Sequence, residues 1–69
     1  MFSRREALGK VKNNAVYQVT DPKRGTRRLK ALVQHGVVLV AFFLRDGTLC
    51  DFTVSDYLTD RELLSLKEI

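Results

Sequence analysis

The 69 residues are enough for one small domain over residues 1–69, which we expect to bury about 60% of the surface that its unfolded chain exposes. A content of 45% hydrophobic and 29% charged residues is typical of a folded domain, and the short length argues against a deep substrate cavity. The net charge of +4 is unevenly divided, with +7 over residues 1–30 and −3 over residues 31–69, which favours an anionic partner or a solvated basic surface.

The first predicted element is a short N-terminal helix. Residues 3–6 have the S-x-x-E form of a capping box, in which Ser3 and Glu6 satisfy backbone N–H groups at the start of a helix. Gly9 follows at a position where such a helix would end.

A four-stranded antiparallel meander follows, predicted over residues 15–20, 26–34, 37–45 and 48–55. Apolar and polar residues alternate in the first two strands, and turn-forming residues separate them at positions 21–25. The third strand contains a run of eight consecutive apolar residues, 37–44. We predict a three-residue hairpin loop at 34–36 and a two-residue type I′ turn at 46–47.

These turns fix which side chains share a face of the sheet. They place the odd-numbered residues of the third strand, together with Phe52, on the core face. The even-numbered residues then lie on the opposite face, where their neighbours are polar or mixed, and they need cover from the C-terminal helix, a second copy or a partner. This predicted protein interface consists of Val38, Val40, Phe42 and Leu44.

The last predicted element is a helix over residues 60–68. Thr59 and Glu62 form a capping box, and Leu58 and Leu63 form a hydrophobic staple around it. The predicted fold class is therefore α+β. Its economy of strands and hairpins is similar to that of SH3-like small barrels, or of a half-barrel sheet, at the level of architecture only.

The cellular compartment of the protein is predicted from its single cysteine and from the length of its apolar runs. Cys50 is the single cysteine, so no internal disulfide can form, and its apolar surroundings predict a small buried thiol in a reducing compartment. The longest apolar run is far shorter than the roughly 20 residues of a membrane span, and no apolar stretch follows the N-terminal charges. We therefore predict a cytoplasmic protein without a membrane partner.

The residues that could form a catalytic or metal site have simpler structural explanations. Arg4 and Val11 stand where a phosphate-binding loop around residues 9–10 needs Gly and Ser or Thr. His35 and Cys50 lack metal-ligand spacing. Aspartates 46, 51, 56 and 60 are explained by turns, strand ends and a helix start. We predict no enzyme, no metal and no cofactor.

The strongest functional signal is basic. Five cations fall within residues 23–30, on a predicted hairpin tip and the strand that leaves it, and four more lie near the N-terminus. Cations in this density neutralise phosphates and release counterions, which favours a small regulator that binds DNA, RNA or a transcription-type nucleoprotein complex. Phe42 could share a face with these cations and stack on a base. The predicted nucleic-acid-binding residues are Arg4, Arg5, Lys10, Lys12, Lys23, Arg24, Arg27, Arg28 and Lys30.

A second hypothesis belongs to a different class. The apolar stripe from residue 38 to residue 44, or a free sheet edge, could dock on a larger protein with an acidic patch. The chain would then be a binding module or an inhibitor, and self-association through the same stripe would give a homodimer.

Overall fold

A computed structural model describes residues 1–69 as an antiparallel sheet with two short helices on one of its faces. The predicted α+β class and antiparallel sheet are confirmed, but the sheet is open and has five strands instead of four. A closed SH3-like barrel is not confirmed. The helices are α1 (Arg4–Gly9) and α2 (Asp60–Leu64), and the strands are β1 (Val16–Asp21), β2 (Gly25–Gln34), β3 (Val37–Phe42), β4 (Thr53–Val54) and β5 (Lys67–Glu68), in the spatial order β4-β3-β2-β1-β5.

The hydrophobic core lies between the sheet and the helices. Strands β1, β2 and β3 contribute one face each, and the segment leading into α2 together with α2 itself closes the core from above. Side chains of α1, including Ala7 and Leu8, pack around the edge of this core. Its fully enclosed members are Tyr17, Val19, Leu29, Ala31, Val40, Leu58 and Leu63.

The start of α1 follows the sequence pattern. The Ser3 hydroxyl accepts a hydrogen bond from the Glu6 N–H at 3.3 Å, as an N-cap should. Arg4 then joins α1 to the chain that leads into α2, because its guanidinium donates to Asp60 at 2.7 Å and to the Leu58 carbonyl at 2.9 Å. The helix is thus held by contacts 54 to 56 residues away in sequence.

The pairing of β1 with β2 has the predicted register. Thr20 lies opposite Thr26, and Tyr17 lies opposite Leu29, as a five-residue connection at 21–25 requires. Asp21 and Gly25 add one further pair at the end of this hairpin.

The hairpin between β2 and β3 differs from the prediction by one residue. Gln34 pairs with Val37 and Val33 pairs with Val38, so the loop has two residues instead of three. Both loop residues, His35 (φ 53°) and Gly36 (φ 76°), have positive φ, as a type I′ turn requires. The prediction assigned that conformation to Gly36 alone, although His tolerates it better than most side chains.

This one-residue shift turns β3 over, because side chains alternate between the faces of a strand. Val40 is only 1% exposed and belongs to the core, and Val38 and Phe42 pack against it. Val37, predicted to be in the core, is 49% exposed. The predicted face assignment of this strand is therefore wrong, and three of the four residues of the predicted protein interface lie on the core face.

The next turn also differs, in the opposite sense. The Leu44 N–H donates to the Thr48 carbonyl at 2.7 Å, which leaves a three-residue loop, 45–47, where two residues were predicted. Only Gly47 (φ 87°) has positive φ there, so a type I′ turn is not formed. Leu44 itself is exposed.

The strand after this turn is short because its register changes. Phe43 pairs with Leu49 instead of the predicted Cys50, whereas the predicted pair of Leu39 with Val54 is present. The two registers differ by one residue, so the residues between Leu49 and Thr53 lie outside the ladder with β3. Strand β4 therefore covers two residues instead of 48–55. Cys50 is exposed, and Phe52, predicted to be in the core, is 36% exposed.

The C-terminal helix begins as predicted and ends earlier. The full capping box of Thr59 and Glu62 is present, but α2 ends at Leu64 instead of residue 68. The chain then turns at Ser65, whose hydroxyl accepts the Thr20 N–H at 2.7 Å, and β5 pairs with β1. Neither helix has the length and apolarity that crossing a bilayer requires.

Asp21 links the β1–β2 turn to the start of α2. Its carboxylate accepts the Thr59 hydroxyl at 2.8 Å and the N–H groups of Lys23 and Arg24 at 2.7 and 3.2 Å. These hydrogen bonds, that of Thr59 first, hold the pKa of Asp21 below its ordinary value of 3.8.

A carboxyl whose pKa is lowered by folding stabilises the protein above its unfolded pKa of about 3.9, and this contribution is lost as pH falls through the lower folded pKa. We expect Asp21→Asn to reduce the urea midpoint at pH 7 and to flatten its decline below about pH 4. Urea unfolding followed by circular dichroism from pH 7 to pH 2 measures this. Asp56→Asn, at an exposed aspartate without a side-chain hydrogen bond, should follow the wild-type curve; equal curves for the two variants would contradict the expectation.

Candidate nucleic-acid interface

The face of the sheet opposite the two helices packs against neither of them and is called the open face. Its members follow from the strand registers, since residues paired across an antiparallel ladder point to the same side. No aspartate or glutamate is among them. The open face consists of Val16, Gln18, Thr20, Thr26, Arg28, Lys30, Leu32, Gln34, Val37, Leu39, Ala41, Val54 and Lys67, of which Ala41 is 0% exposed.

Four cations on the helical side are paired within the chain. Arg4 binds Asp60 at 2.7 Å, and Lys12 binds Glu68 at 3.2 Å. Arg24 and Arg27 share Glu62 at 3.4 and 2.8 Å. These are all the salt bridges of the structure, and Arg5, Lys10 and Arg61 on the same side form none.

The Glu62 cluster is the most buried of these arrangements. Glu62 is 0% exposed, and besides the two arginines it accepts the Thr59 N–H at 3.0 Å in the capping box of α2. The Arg27 guanidinium also stacks 3.8 Å from the centre of the Phe42 ring. Two guanidinium groups against one carboxylate leave the cluster with a net positive charge.

Cations on the open face are unpaired. Arg28, Lys30 and Lys67 have no carboxylate oxygen within salt-bridge distance, and each is held on a strand by the backbone ladder. Positive charge that is not neutralised inside the molecule remains available to an external anion.

A concave region at one end of the open face is lined by one of these unpaired cations, Arg28, and by three further arginines, and we call it the arginine basin. Its lining includes Arg24, Arg27, Arg28 and Arg45, but no acidic residue. Phe43 supplies an aromatic ring there, and Gln18 and Thr26 supply neutral polar groups. The basin therefore combines two guanidinium groups that are paired with Glu62, those of Arg24 and Arg27, and two unpaired ones, those of Arg28 and Arg45, with one partly buried ring.

The nine cations predicted to bind nucleic acid fall into two groups. Arg24, Arg27 and Arg28 line the basin, Lys30 lies beside it on the open face, and Lys23 is exposed at the tip of the β1–β2 hairpin. The remaining four belong to α1 and to the segment after it, and none of them lines the basin. These four are Arg4, Arg5, Lys10 and Lys12.

Sequence reasoning missed three residues of this interface. Arg45 and Lys67 were missed because they lie outside the basic segment. Phe43 was missed because the sequence pattern pointed to Phe42 as the aromatic residue beside the cations. The missed signal is the length of the hairpin loop at His35. A two-residue loop would have placed Phe43 beside Arg28 on the open face.

The opposite end of the open face is apolar. Leu32, Leu39 and Val54 form one row across β2, β3 and β4, and the exposed Val37 lies next to this row. The open face thus has a basic end and an apolar end.

The chain matches no protein-family model, no curated protein sequence and no solved structure.

Proposed function

We propose that this protein is a small non-enzymatic regulator that binds nucleic acid through the basic end of its open face. The observation that carries the proposal is the sorting of the cations. Arg4, Lys12, Arg24 and Arg27 form salt bridges within the chain, whereas the strand registers gather the unpaired Arg28, Lys30 and Lys67 on one face without carboxylates.

Phosphate chemistry explains why such a face suits nucleic acid. Each phosphate that a cation neutralises releases condensed counterions, so several cations on one surface give an affinity that falls steeply with salt. The arginine basin adds planar donors that suit phosphate oxygens, and Phe43 offers a ring to a base. A row of phosphates is the anion with enough charges to occupy the whole surface.

A binding role agrees with the position of the two carboxyls whose pKa is lowered. Asp21 is stabilised by Thr59 and by turn N–H groups, and Asp46 by the backbone and side chain of Thr48. Neither carboxyl lines the basin. Their lowered pKa values therefore have a structural cause, and the proposal assigns no proton transfer to them.

The proposal predicts that Arg28→Gln with Lys30→Gln weakens binding and lowers its salt dependence. Each lost phosphate contact reduces the slope of log K against log salt by about 0.7 on a single strand, so the double variant should lose roughly 1.4. Fluorescence anisotropy of a labelled 12-nucleotide strand between 20 and 300 mM salt measures the slope.

Lys10→Gln with Arg61→Gln is the matched control, since it removes one lysine and one arginine from the helical side, where neither forms a salt bridge. The control should keep the wild-type slope. Equal losses in both double variants would show that binding follows net charge alone, and absence of binding at 20 mM salt would overturn the proposed function.

A second candidate function rests on the apolar end of the open face. The row of Leu32, Leu39 and Val54 suits a protein partner, with the basic end contacting an acidic patch beside it. Light scattering separates the candidates. A dimer whose mass falls to that of a monomer on Leu39→Ser, in a protein that does not bind nucleic acid, would favour this second function.

A further inference from the structure

The arginine basin has a geometry that selects among the forms of nucleic acid. We infer that its ligand is a single strand, with one base stacked on Phe43 and the backbone held by the surrounding guanidinium groups. This inference rests on the proposed function and specifies the ligand of the same surface.

The first argument is the position of the ring. The Phe43 N–H donates to the Arg28 carbonyl at 3.0 Å, so the ring follows β3 directly beside Arg28. Arg45 lies two residues further along, in the turn that bounds the basin. A base placed on Phe43 therefore has the guanidinium groups of two arginines in the same basin for its flanking phosphates.

The second argument is the row of side chains that leads away from the ring. Lys67 pairs with Gln18, Gln18 pairs with Arg28, and Arg28 lies beside Phe43. Strands are about 4.8 Å apart, so this row crosses roughly 14 Å of the sheet. It offers a cation on each side of a neutral amide and ends at the ring, which suits an extended backbone of a few nucleotides.

The third argument concerns duplexes. Reading a major groove requires a helix or a ribbon that protrudes into it. Helices α1 and α2 have only six and five residues, and both lie on the opposite side of the sheet. A partly buried ring in the lining of a concave surface reaches bases only where they are unpaired and can leave the stack.

The experiment compares Phe43→Leu with Phe52→Leu on a 12-nucleotide single strand and on the corresponding duplex. Loss of one stacked base costs about tenfold in affinity. Phe43→Leu should weaken single-strand binding by about this factor without changing the salt slope, because no charge is removed. Phe52→Leu changes an exposed ring outside the basin and should bind like wild type.

A second variant keeps the test decisive if Phe43→Leu does not fold. The chain has no tryptophan, so Phe43→Trp places a single indole in the basin, and its fluorescence should be quenched by the single strand. Phe52→Trp is the control and should not respond.

The outcomes separate the inference from the proposed function. Two outcomes would overturn the inference and leave the proposed function standing. In the first, wild type and Phe43→Leu bind the single strand and the duplex with the same affinity. In the second, the protein binds the duplex more tightly than the single strand, and Lys23→Gln weakens that binding. Failure of every nucleic acid to bind at low salt would overturn both.

Discussion

Glu62→Gln is expected to unfold much of the protein at 25 °C. The substitution keeps the shape of the side chain but removes the one carboxylate between Arg24 and Arg27, at a position that is 0% exposed. Breaking a buried ion pair by removing one partner costs about 3–5 kcal/mol, and the partial exposure of both arginines places the cost near the lower end. A domain of this size has about 3–5 kcal/mol in total.

Urea unfolding followed by far-ultraviolet circular dichroism measures this effect. Glu68→Gln is the matched control, since it removes the same charge from a salt bridge to Lys12 that lies at the surface. Exposed pairs of this kind contribute about 0–1 kcal/mol. Equal losses of stability in the two variants would mean that the Glu62 cluster does not hold α2 against β2.

Val40→Asp and Val37→Asp are expected to have opposite outcomes although they make the same change in one strand. Val40 is 1% exposed in the core, where a carboxylate without a partner costs several kcal/mol, so this variant should be unfolded. Val37 is 49% exposed at the start of β3, and its replacement should cost less than about 1 kcal/mol, the span of strand propensities.

Thermal unfolding by circular dichroism or calorimetry distinguishes the two variants at once. A folded Val40→Asp protein beside an unfolded Val37→Asp protein would restore a three-residue loop at 34–36 and the face assignment that follows from it. The pair therefore tests the register on which the whole open face depends.

If the open face binds a single strand, its two ends have separate consequences for assembly. The basic end carries the ligand, while the apolar row of Leu32, Leu39 and Val54 remains free for a protein contact. Two copies brought together at their apolar ends would keep their like-charged ends apart, which limits the electrostatic cost of such a contact.

Local patterns in the sequence were sufficient wherever a structure depends on neighbouring residues. The N-cap at Ser3, the capping box of Thr59 with Glu62, and the register of Thr20 with Thr26 are all set by interactions within a few residues. The same holds for the antiparallel class of the sheet, which follows from short connections between alternating segments.

The backbone conformation of His35 decided which side chains of β3 face the core. Whether His35 joins Gly36 in the left-handed region depends on which register packs better in three dimensions, and the sequence of the loop allows both. That choice places Val40 rather than Leu39 in the core and brings Phe43, not Phe42, to the open face. The candidate stacking residue therefore could not be assigned from alternation alone.

The sequence by itself determined the α+β class, the helix starts, the β1–β2 register and the excess of cations in the first half of the chain. Only the tertiary structure decided which of those cations are free. Glu62 meets Arg24 and Arg27 across 38 and 35 residues of sequence, and β5 brings Lys67 next to Gln18 from the far end of the chain. Net charge counts residues, whereas the charge available to a ligand depends on which residues folding brings within a few ångströms of each other.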